Sequence, residues 1–276
     1  MSDARNPDLR GTRLAGKVAI VVGGGSTGDY PGTGSAMARL FAAQGARVAV
    51  VGRSTGHTAR TVDAIVADGG MAHLLLGDAL QRADCERFAG ETVERYGRID
   101  VVVNNLAVHR HVDVEALDES AWEHIWAGNL KAPMLMTQFV IPHMRAAGGG
   151  SIINIGSIAG TLASGAIGYG TAKGGLTALT RDMAMVLGRD GIRVNCVIPG
   201  HLHTPHVGRV SDGEARRLRA DLNMLGIEGD GWDAAFAALY FACDESRFVT
   251  GQCLTVDAGV TGILGMTQVV RLSGRR

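Results

Sequence analysis

The hydrophobic residues of this chain alternate between short continuous runs and longer segments with a helical period. Runs rich in Val and Ile occupy residues 17–22, 47–51, 72–78, 100–105, 151–156, 193–198 and 253–256. These runs lack in/out alternation, which is typical of parallel strands covered on both faces. Segments of helical period lie between them at residues 35–45, 57–70, 85–97, 120–148, 169–191 and 232–244. Several of these segments end at Gly, a common helix stop signal.

The regular succession of strands and helices predicts an α/β fold. We expect a single doubly wound parallel sheet of Rossmann type with helices on both faces. No linker, repeat or low-complexity tract interrupts the pattern, so residues 1–276 are predicted to form one domain. Within it we expect an N-terminal arm at 1–14, a mobile lid in the charged, Gly-containing segment 206–231, and a C-terminal tail at 260–276.

The composition narrows the class of protein. Lys+Arg and Asp+Glu balance at 27 each, so charge gives no reason to expect a nucleic-acid or membrane partner. The polar start has no apolar signal region, and no apolar run approaches the ~18 residues of a membrane span. The four cysteines form no C-x-x-C pair and read as buried thiols in a reducing compartment. These features predict a cytoplasmic protein.

A glycine-rich turn follows the first predicted strand and leads into the first predicted helix. Glycines at such a turn let backbone N–H groups approach a pyrophosphate at the positive end of the helix. The candidate cofactor-binding residues of this turn are Gly23, Ser26, Gly32, Thr33 and Gly34. A tight turn without a ligand would also use glycines, but the position after the first strand favours a dinucleotide.

The end of the second strand bears on the choice of cofactor. Gly52 supplies no carboxylate for a ribose hydroxyl, whereas Arg53 and Ser54 suit a 2′-phosphate. An Arg solvated at a strand end is the alternative interpretation. We therefore expect NADP(H) to be preferred, with NAD(H) possible. Further along, Asp78 and Ala79 are placed to flank an adenine ring, and Asn104 and Asn105 end the fourth strand at the ligand-binding edge.

The motif YGTAK places two titratable side chains one helical turn apart. Tyr169 and Lys173 stand at i and i+4, and Ser157 ends an apolar run twelve residues before Tyr169. An ammonium near a phenol stabilises phenolate and would lower the pKa of Tyr169 from its usual value of about 10. A Ser hydroxyl beside this pair could hold a carbonyl or alcohol oxygen while Tyr169 moves its proton. The pattern predicts general acid/base chemistry.

Taken together, these motifs resemble the short-chain dehydrogenase/reductase family from about Ala15 to about Gly259. The resemblance includes the Gly-rich turn, Asp78, NNLA (104–107), Asn129, Ser157, YGTAK (169–173), PGHLHT (199–204) and TGQCLTVDAG (250–259). It implies that Tyr169 is the catalytic acid/base, that Lys173 lowers its pKa and binds the nicotinamide ribose, and that Ser157 orients the reacting oxygen. Asn129 would hold a water in the proton relay. The resemblance also implies cofactor contacts from Asn105, Ala107, Tyr169, Lys173, Pro199, Leu202 and Thr204.

The chain departs from the family pattern in three places. Val22 replaces a threonine, and about five extra residues precede Gly32, which would bring Asp29 and Tyr30 near the cofactor. NNAG is NNLA here, so Leu106 fills a small position. The spacing from Ser157 to Tyr169 is one residue shorter than the commonest one.

Two groups of histidines lie where the resembled family has its substrate mouth. His109 and His111 follow the NNLA motif, and His201, His203 and His206 follow Pro199-Gly200. No carboxylate or Cys completes a metal-ligand pattern, so we expect polar lining of a cleft and no metal. Leu162, Ala163 and Ile167 predict that the cleft is partly apolar.

The complete set of proton-transfer residues favours an enzyme over its alternatives. The expected reaction is an NAD(P)-dependent interconversion of a secondary alcohol and a ketone, with this alcohol or ketone as the small-molecule partner. A non-catalytic dinucleotide sensor or scaffold would need no proton-transfer group. An epimerase or dehydratase would need a nucleotide-sugar subdomain, for which little chain is left. The apolar segments 120–148 and 169–191 predict a homodimer or homotetramer.

Overall fold

The computed structural model describes residues 7–28, 30–110, 112–205, 213–265 and 273. Its main sheet contains seven parallel strands in the order β3-β2-β1-β4-β5-β6-β9. These strands are β1 (Val18–Val22), β2 (Arg47–Gly52), β3 (Met71–Leu76), β4 (Val101–Asn104), β5 (Gly150–Ile155), β6 (Ile192–Pro199) and β9 (Cys253–Val256). A two-stranded parallel sheet pairs β7 (Leu202–His203) with β8 (Gly229–Asp230). The predicted α/β fold class is therefore confirmed.

Helices cover both faces of the main sheet. They are α1 (Thr33–Ala43), α2 (Thr55–Ala67), α3 (Arg82–Tyr96), α4 (Glu119–Trp126), α5 (Ala132–Ala146), α6 (Ile167–Leu187), α7 (Gly213–Asp221) and α8 (Gly231–Ala242). Side chains of α1, α2 and α8 pack on one face, and those of α3, α5 and α6 pack on the other. Within the described residues, no helix is both long and apolar enough to cross a membrane.

Strand β1 shows why the central strands are continuous apolar runs. All five of its residues are buried, with Ala19 and Val21 in the α1/α8 core and Ile20 and Val22 in the α3/α5 core. A strand covered on both faces has no polar side to present to water, so its sequence shows no alternation.

The segment predicted as one helix over 120–148 is divided in two. Helix α4 passes into a π-helical turn at Ala127–Lys131 before α5 begins at Ala132. Pro133, near the start of α5, cannot donate the N–H that the carbonyl of Asn129 would receive in a continuous α-helix. The wider turn accommodates this missing donor and is where Asn129 lies.

Candidate active site

Two glycines bring the first turn of the sheet into direct backbone contact with the end of β4. Gly23 has a φ of +76°, and a Cβ built on it would lie 2.1 Å from the carbonyl oxygen of Asn105. A Cβ on Gly34 would lie 2.1 Å from the carbonyl oxygen of Gly23. Only glycine fits both positions, so this turn is built for close backbone approach.

The N-terminus of α1 faces the same place. No side chain of the described residues caps α1 at Gly32, and its first turn holds no acidic residue. Thr33 Oγ1 donates to Asn105 Oδ1 at 3.0 Å, and Asn105 Nδ2 donates to the carbonyl of Gly23 at 3.0 Å. These bonds fix the turn and leave a helix N-terminus for an anion, which fits the pyrophosphate of a dinucleotide.

A groove of about 410 Å³ runs from this turn along the ends of β2 and β3. Most of the predicted cofactor-binding residues line it, namely Gly23, Gly32, Thr33, Gly34, Arg53, Ser54, Asp78, Ala79, Asn105, Ala107 and Thr204. The prediction missed Thr27, His57, Thr58, Leu80, Val108 and Pro205, which also line it. His57 and Pro205 carry no local motif, and only the fold brings them to the groove.

Ser26 is an exception among the predicted residues of the glycine-rich turn. It is 7% exposed, does not line the groove, and donates within the loop to the carbonyls of Gly28 and Tyr30 at 3.3 Å each. The expected cofactor contact of Ser26 stays a prediction. The Ser26 hydroxyl holds the loop in shape.

The loop between β1 and α1 packs against the segment that follows β6. The ring of Tyr30 stacks on that of His203, with centroids 4.9 Å apart and planes inclined by 14°. A Cβ on Gly28 would lie 2.9 Å from the Cβ of Pro205. Asp29, expected near the cofactor, lies outside the described residues. The loop between β1 and α1 therefore contacts His203 and Pro205 in the segment after β6.

The end of β2 has no room for an acidic side chain. A Cβ on Gly52 would lie 2.3 Å from Thr58 Oγ1, which donates to the carbonyl of Ser54 at 2.8 Å. Ser54 caps α2 and accepts from the N–H of His57 at 3.4 Å. Arg53 is exposed on the groove wall, and no ion pair with another described residue holds it.

A cavity of about 690 Å³ adjoins the groove and shares part of its wall. The shared residues are Thr33, Asn105, Leu106, Ala107 and Thr204. Ser157, Tyr169, Lys173, Pro199 and Leu202 line the cavity, together with the apolar Leu162 and Ala163. Ile167, expected in this lining, is not part of it and is 40% exposed at the start of α6. A ligand spanning groove and cavity would therefore end beside Tyr169.

The side chains of Ser157 and Tyr169 are neighbours on the cavity wall, and the Ser157 hydroxyl accepts from the N–H of Ala159 at 3.2 Å. Tyr169 is only 9% exposed, and burial raises its pKa, while the neighbouring Ser157 hydroxyl acts in the opposite direction. The ring of His109 lies over that of Tyr169, with centroids 3.8 Å apart and planes inclined by 32°. In this structure Tyr169 is therefore a protonated phenol at neutral pH.

Lys173 is buried beneath Tyr169, with its Nζ 5.7 Å from the centroid of the tyrosine ring. The Nζ donates to the carbonyls of Leu106 at 2.8 Å and Ile155 at 2.7 Å. Burial lowers the pKa of Lys173 to about 8. The expected lowering of the Tyr169 pKa by this ammonium is not seen, because the charge is directed at two carbonyls and burial of the phenol dominates.

The side chain of Asn129 faces away from the cavity. Its Nδ2 donates to the carbonyls of Val108 at 2.8 Å and Ile125 at 2.9 Å, and its Oδ1 accepts from the N–H of Val108 at 3.2 Å. The side chain therefore fixes the segment after β4, which carries His109. The carbonyl of Asn129 lacks its usual α-helical donor because the residue four positions on is Pro133.

The described part of the predicted lid contains helix α7, which is linked to the residue that precedes β8. Arg216 and Arg219 of α7 both pair with Glu228, at 2.7 Å and 2.6 Å, and Arg219 lines the cavity. His203 Nδ1 lies 4.0 Å from the same carboxylate. His111, His206 and most of the C-terminal tail lie outside the described residues. Among those described, no group of three or more His, Cys, Asp or Glu side chains could hold a metal ion.

Comparison with known proteins assigns the chain to a family. A family model described as Enoyl-(Acyl carrier protein) reductase matches residues 29–261. A crystal structure from Burkholderia xenovorans, of a protein assigned to the short-chain dehydrogenases/reductases, superposes with a TM-score of 0.86. It is 39% identical, and the match covers 92% of this chain and 99% of that one.

Two curated relatives extend over the same region. The 3-oxoacyl-[acyl-carrier-protein] reductase FabG of Thermotoga maritima is 32% identical over 90% of this chain and 99% of its own. The 7alpha-hydroxysteroid dehydrogenase of Bacteroides fragilis is 30% identical over 90% of this chain and 96% of its own. The chain therefore belongs to the short-chain dehydrogenase/reductase family of NAD(P)-dependent oxidoreductases.

Proposed function

We propose that this enzyme interconverts a secondary alcohol and a ketone, with Tyr169 as the group that moves the proton. The observation that carries the proposal is that Ser157 and Tyr169 lie together at the wall of a cavity that continues into the groove beginning at the glycine-rich turn. The names of FabG and of the hydroxysteroid dehydrogenase, an oxoacyl reductase and a hydroxy dehydrogenase, support this chemistry.

A nicotinamide dinucleotide fits the groove. The glycine positions Gly23 and Gly34 leave no room for a Cβ, and the uncapped start of α1 suits a pyrophosphate. Asn105, Ala107 and Thr204 line both groove and cavity and would hold the reacting end of the cofactor. When bound, the nicotinamide supplies the acceptor or donor of the hydride.

The chain's own residues supply the proton and the orientation. In the reductive direction the Ser157 hydroxyl and the Tyr169 phenol would both bond to the substrate carbonyl oxygen, and Tyr169 would donate its proton to that oxygen. A buried phenol with a raised pKa is protonated at neutral pH, as a donor must be. In the oxidative direction Tyr169 would first lose its proton to solvent, and the phenolate would then take the proton of the substrate alcohol. We assign Lys173 to the nicotinamide ribose, and the carbonyl of Asn129 to a water of the proton relay.

Replacement of Tyr169 by Phe tests the assignment. The variant keeps the aromatic ring beneath His109 and removes only the hydroxyl, so cofactor affinity should change little. General acid/base groups typically contribute 10²- to 10⁴-fold, so kcat should fall by roughly that factor. A panel of ketones with NADPH and NADH, and of alcohols with the oxidised cofactors, would be followed at the nicotinamide absorbance band. Cofactor affinity would be measured by fluorescence titration.

Tyr240→Phe is the matched control. Tyr240 lies on α8, is 37% exposed, and lines neither the groove nor the cavity. This variant should keep wild-type kcat. If Tyr169→Phe also turned over at nearly the wild-type rate, Tyr169 would not be the proton-transfer group.

NADP(H) is the cofactor that the end of β2 favours. Thr58 Oγ1 occupies the space that the first carbon of an acidic side chain at position 52 would need. Arg53 offers a guanidinium on the groove wall, where it would meet a 2′-phosphate. NAD(H) has no 2′-phosphate for Arg53 to bind, and this strand end offers no carboxylate to its ribose hydroxyls.

The cavity favours a substrate with an apolar body and a polar end. Leu162, Ala163 and Val260 form an apolar wall, while His201 and Arg219 provide a polar one. Arg219 comes from α7, so we assign the segment 206–231 as the lid that closes over the substrate.

A homo-oligomer would cover the apolar groove between α4, α5 and α6. Trp122, Trp126, Leu130, Met134 and Leu179 line this groove of about 820 Å³. Met134 is 45% exposed, and the two indole rings are 5.7 Å apart. A second copy of the chain is the occupant that we assign, across a two-fold axis.

A further inference from the structure

Cys196 and Cys253 are direct neighbours on adjacent parallel strands. Cys196 lies in the middle of β6, Cys253 begins β9, and the two are register partners. Paired residues on neighbouring strands project from the same face of a sheet. Strands are spaced by about 4.7–4.9 Å, which lies within the usual range of about 4.4–6.8 Å between the Cα atoms of a disulfide. The backbone therefore places the two side chains within bonding reach.

The two thiols differ in access and in acidity. Cys196 is fully buried, whereas Cys253 is partly exposed and packs against the cluster formed by Cys196, Ile158 and Ile198. The neighbouring Cys196 thiol lowers the pKa of Cys253 to about 7, and the charge of Arg181 acts in the same direction against the effect of burial. The neighbouring Cys253, together with burial, raises the pKa of Cys196. One sulfur is thus accessible as a thiolate, and the other stands behind it as a thiol.

This arrangement differs from that of the other cysteines. Cys85 lies buried on α3, where burial raises the pKa of its thiol to about 11. Cys243 is buried at the end of α8. Neither has another cysteine as its strand partner, because β6 and β9 carry the remaining two.

We propose that Cys196 and Cys253 form an oxidisable dithiol site that closes to an intramolecular disulfide on reaction with a peroxide. In the first step the Cys253 thiolate attacks a peroxide oxygen, the O–O bond breaks, and the leaving hydroxide takes a proton to become water. In the second step the Cys196 sulfur attacks the sulfenic acid on Cys253, and the S–O bond breaks. The hydroxide released takes the Cys196 proton, so two thiols and one peroxide give one disulfide and two waters.

The site lies directly behind the residues proposed for catalysis. A Cβ built on Gly156, which precedes Ser157, would be 3.0 Å from the Sγ of Cys196. The charge of Lys173 also acts on the Cys196 thiol. A disulfide formed here would therefore lie close to Ser157 and Lys173 and not at a remote surface.

Hydrogen peroxide treatment of the native full-length protein tests the proposal. The protein would be quenched in acid and unfolded, and its titratable thiols counted before and after treatment. We expect the count to fall from four to two, with an intact mass lower by about 2 Da for the two hydrogens lost. Peptide mapping without reduction should give one cross-linked pair that contains Cys196 and Cys253.

Single Ser variants separate this pair from the other cysteines. Cys253→Ser and Cys196→Ser should form no intramolecular disulfide, whereas the control Cys85→Ser should still lose two thiols. The proposal fails if native wild type keeps all four thiols, if the cross-linked peptide contains Cys85 or Cys243, or if the only disulfide joins two chains. Because peptide mapping uses the wild type, the test stands even if a variant does not fold. It also needs no turnover, so it is independent of the proposed reaction.

Discussion

Replacement of Arg53 by Ala should remove most of the preference for NADP(H). The guanidinium is exposed on the groove wall at the end of β2, and no ion pair with a described residue has to break before it binds a ligand. Its neighbour Ser54 is already engaged as the cap of α2. Arg53 is therefore the side chain at this strand end that can add a charged contact to a 2′-phosphate without loss elsewhere.

The expected loss on replacing Arg53 depends on how far its contact with the 2′-phosphate is exposed to water. A hydrogen bond to a charged group contributes about 1.5–3 kcal/mol, whereas an ion pair in full contact with water contributes about 0–1 kcal/mol. Arg53 is exposed in the free protein but would be partly covered by the cofactor, so an intermediate value applies. We expect a loss of about 1–2 kcal/mol, or roughly 5- to 30-fold in kcat/KM for NADPH. The value for NADH should change by less than about 2-fold.

The assay compares kcat/KM for NADPH and NADH in the wild type, Arg53→Ala and Arg60→Ala. Arg60 is the matched control because it is an exposed cation on α2 that does not line the groove. Its removal changes the net charge equally but should leave the cofactor ratio unaltered. Equal use of both cofactors by the wild type would refute the reasoning. So would an equal loss with NADPH and NADH in Arg53→Ala.

Three further outcomes are expected. Asn129→Ala leaves the backbone groups of Val108 without partners and should lower the free energy of unfolding by about 2–3 kcal/mol in urea; a loss below about 1 kcal/mol would contradict this role. Light scattering at micromolar concentration should give two or four times the monomer mass of 28.8 kDa, and a mass of 28.8 kDa would contradict the proposed oligomer. The pKa of Lys173 is about 8 when folded and 10.5 when exposed. The unfolded chain then binds more protons between these values, so unfolding free energy should rise by up to ~3 kcal/mol from pH 8 to 10.5. Lys173→Met should lack this rise.

The sheet was predictable because its physical signal is local. A strand covered on both faces has no polar side, as β1 and β4 show, and runs rich in apolar residues also mark the edge strands β3 and β9, which are only partly buried. Helix α7 was missed because it is charged and has no buried residue, so no hydrophobic stripe marks it. Strands β7 and β8 are two residues each, too short for any periodic pattern.

The site was only partly predictable. Motif spacing brought Ser157, Tyr169 and Lys173 to one cavity, because a strand end and one helix face determine their positions. It could not show that the Ser26 hydroxyl bonds to carbonyls of its own loop, or that the side chain of Asn129 bonds to the backbone of Val108. Those outcomes depend on hydrogen-bond partners from distant segments. The expected lowering of the Tyr169 pKa likewise did not allow for burial of the phenol, which raises this pKa.

The burial of Lys173 is itself an argument for function. Lowering its pKa from 10.5 to about 8 corresponds to ~3 kcal/mol of unfavourable environment for the charged form. The neighbouring core would pack an apolar side chain of similar length without that penalty, although two carbonyls would then lose their donor. A charged side chain buried at this position lowers the stability of the fold, and residues that lower stability in this way concentrate at functional sites. Here the ammonium anchors the ends of β4 and β5, through Leu106 and Ile155, directly beneath the phenol proposed to move the proton.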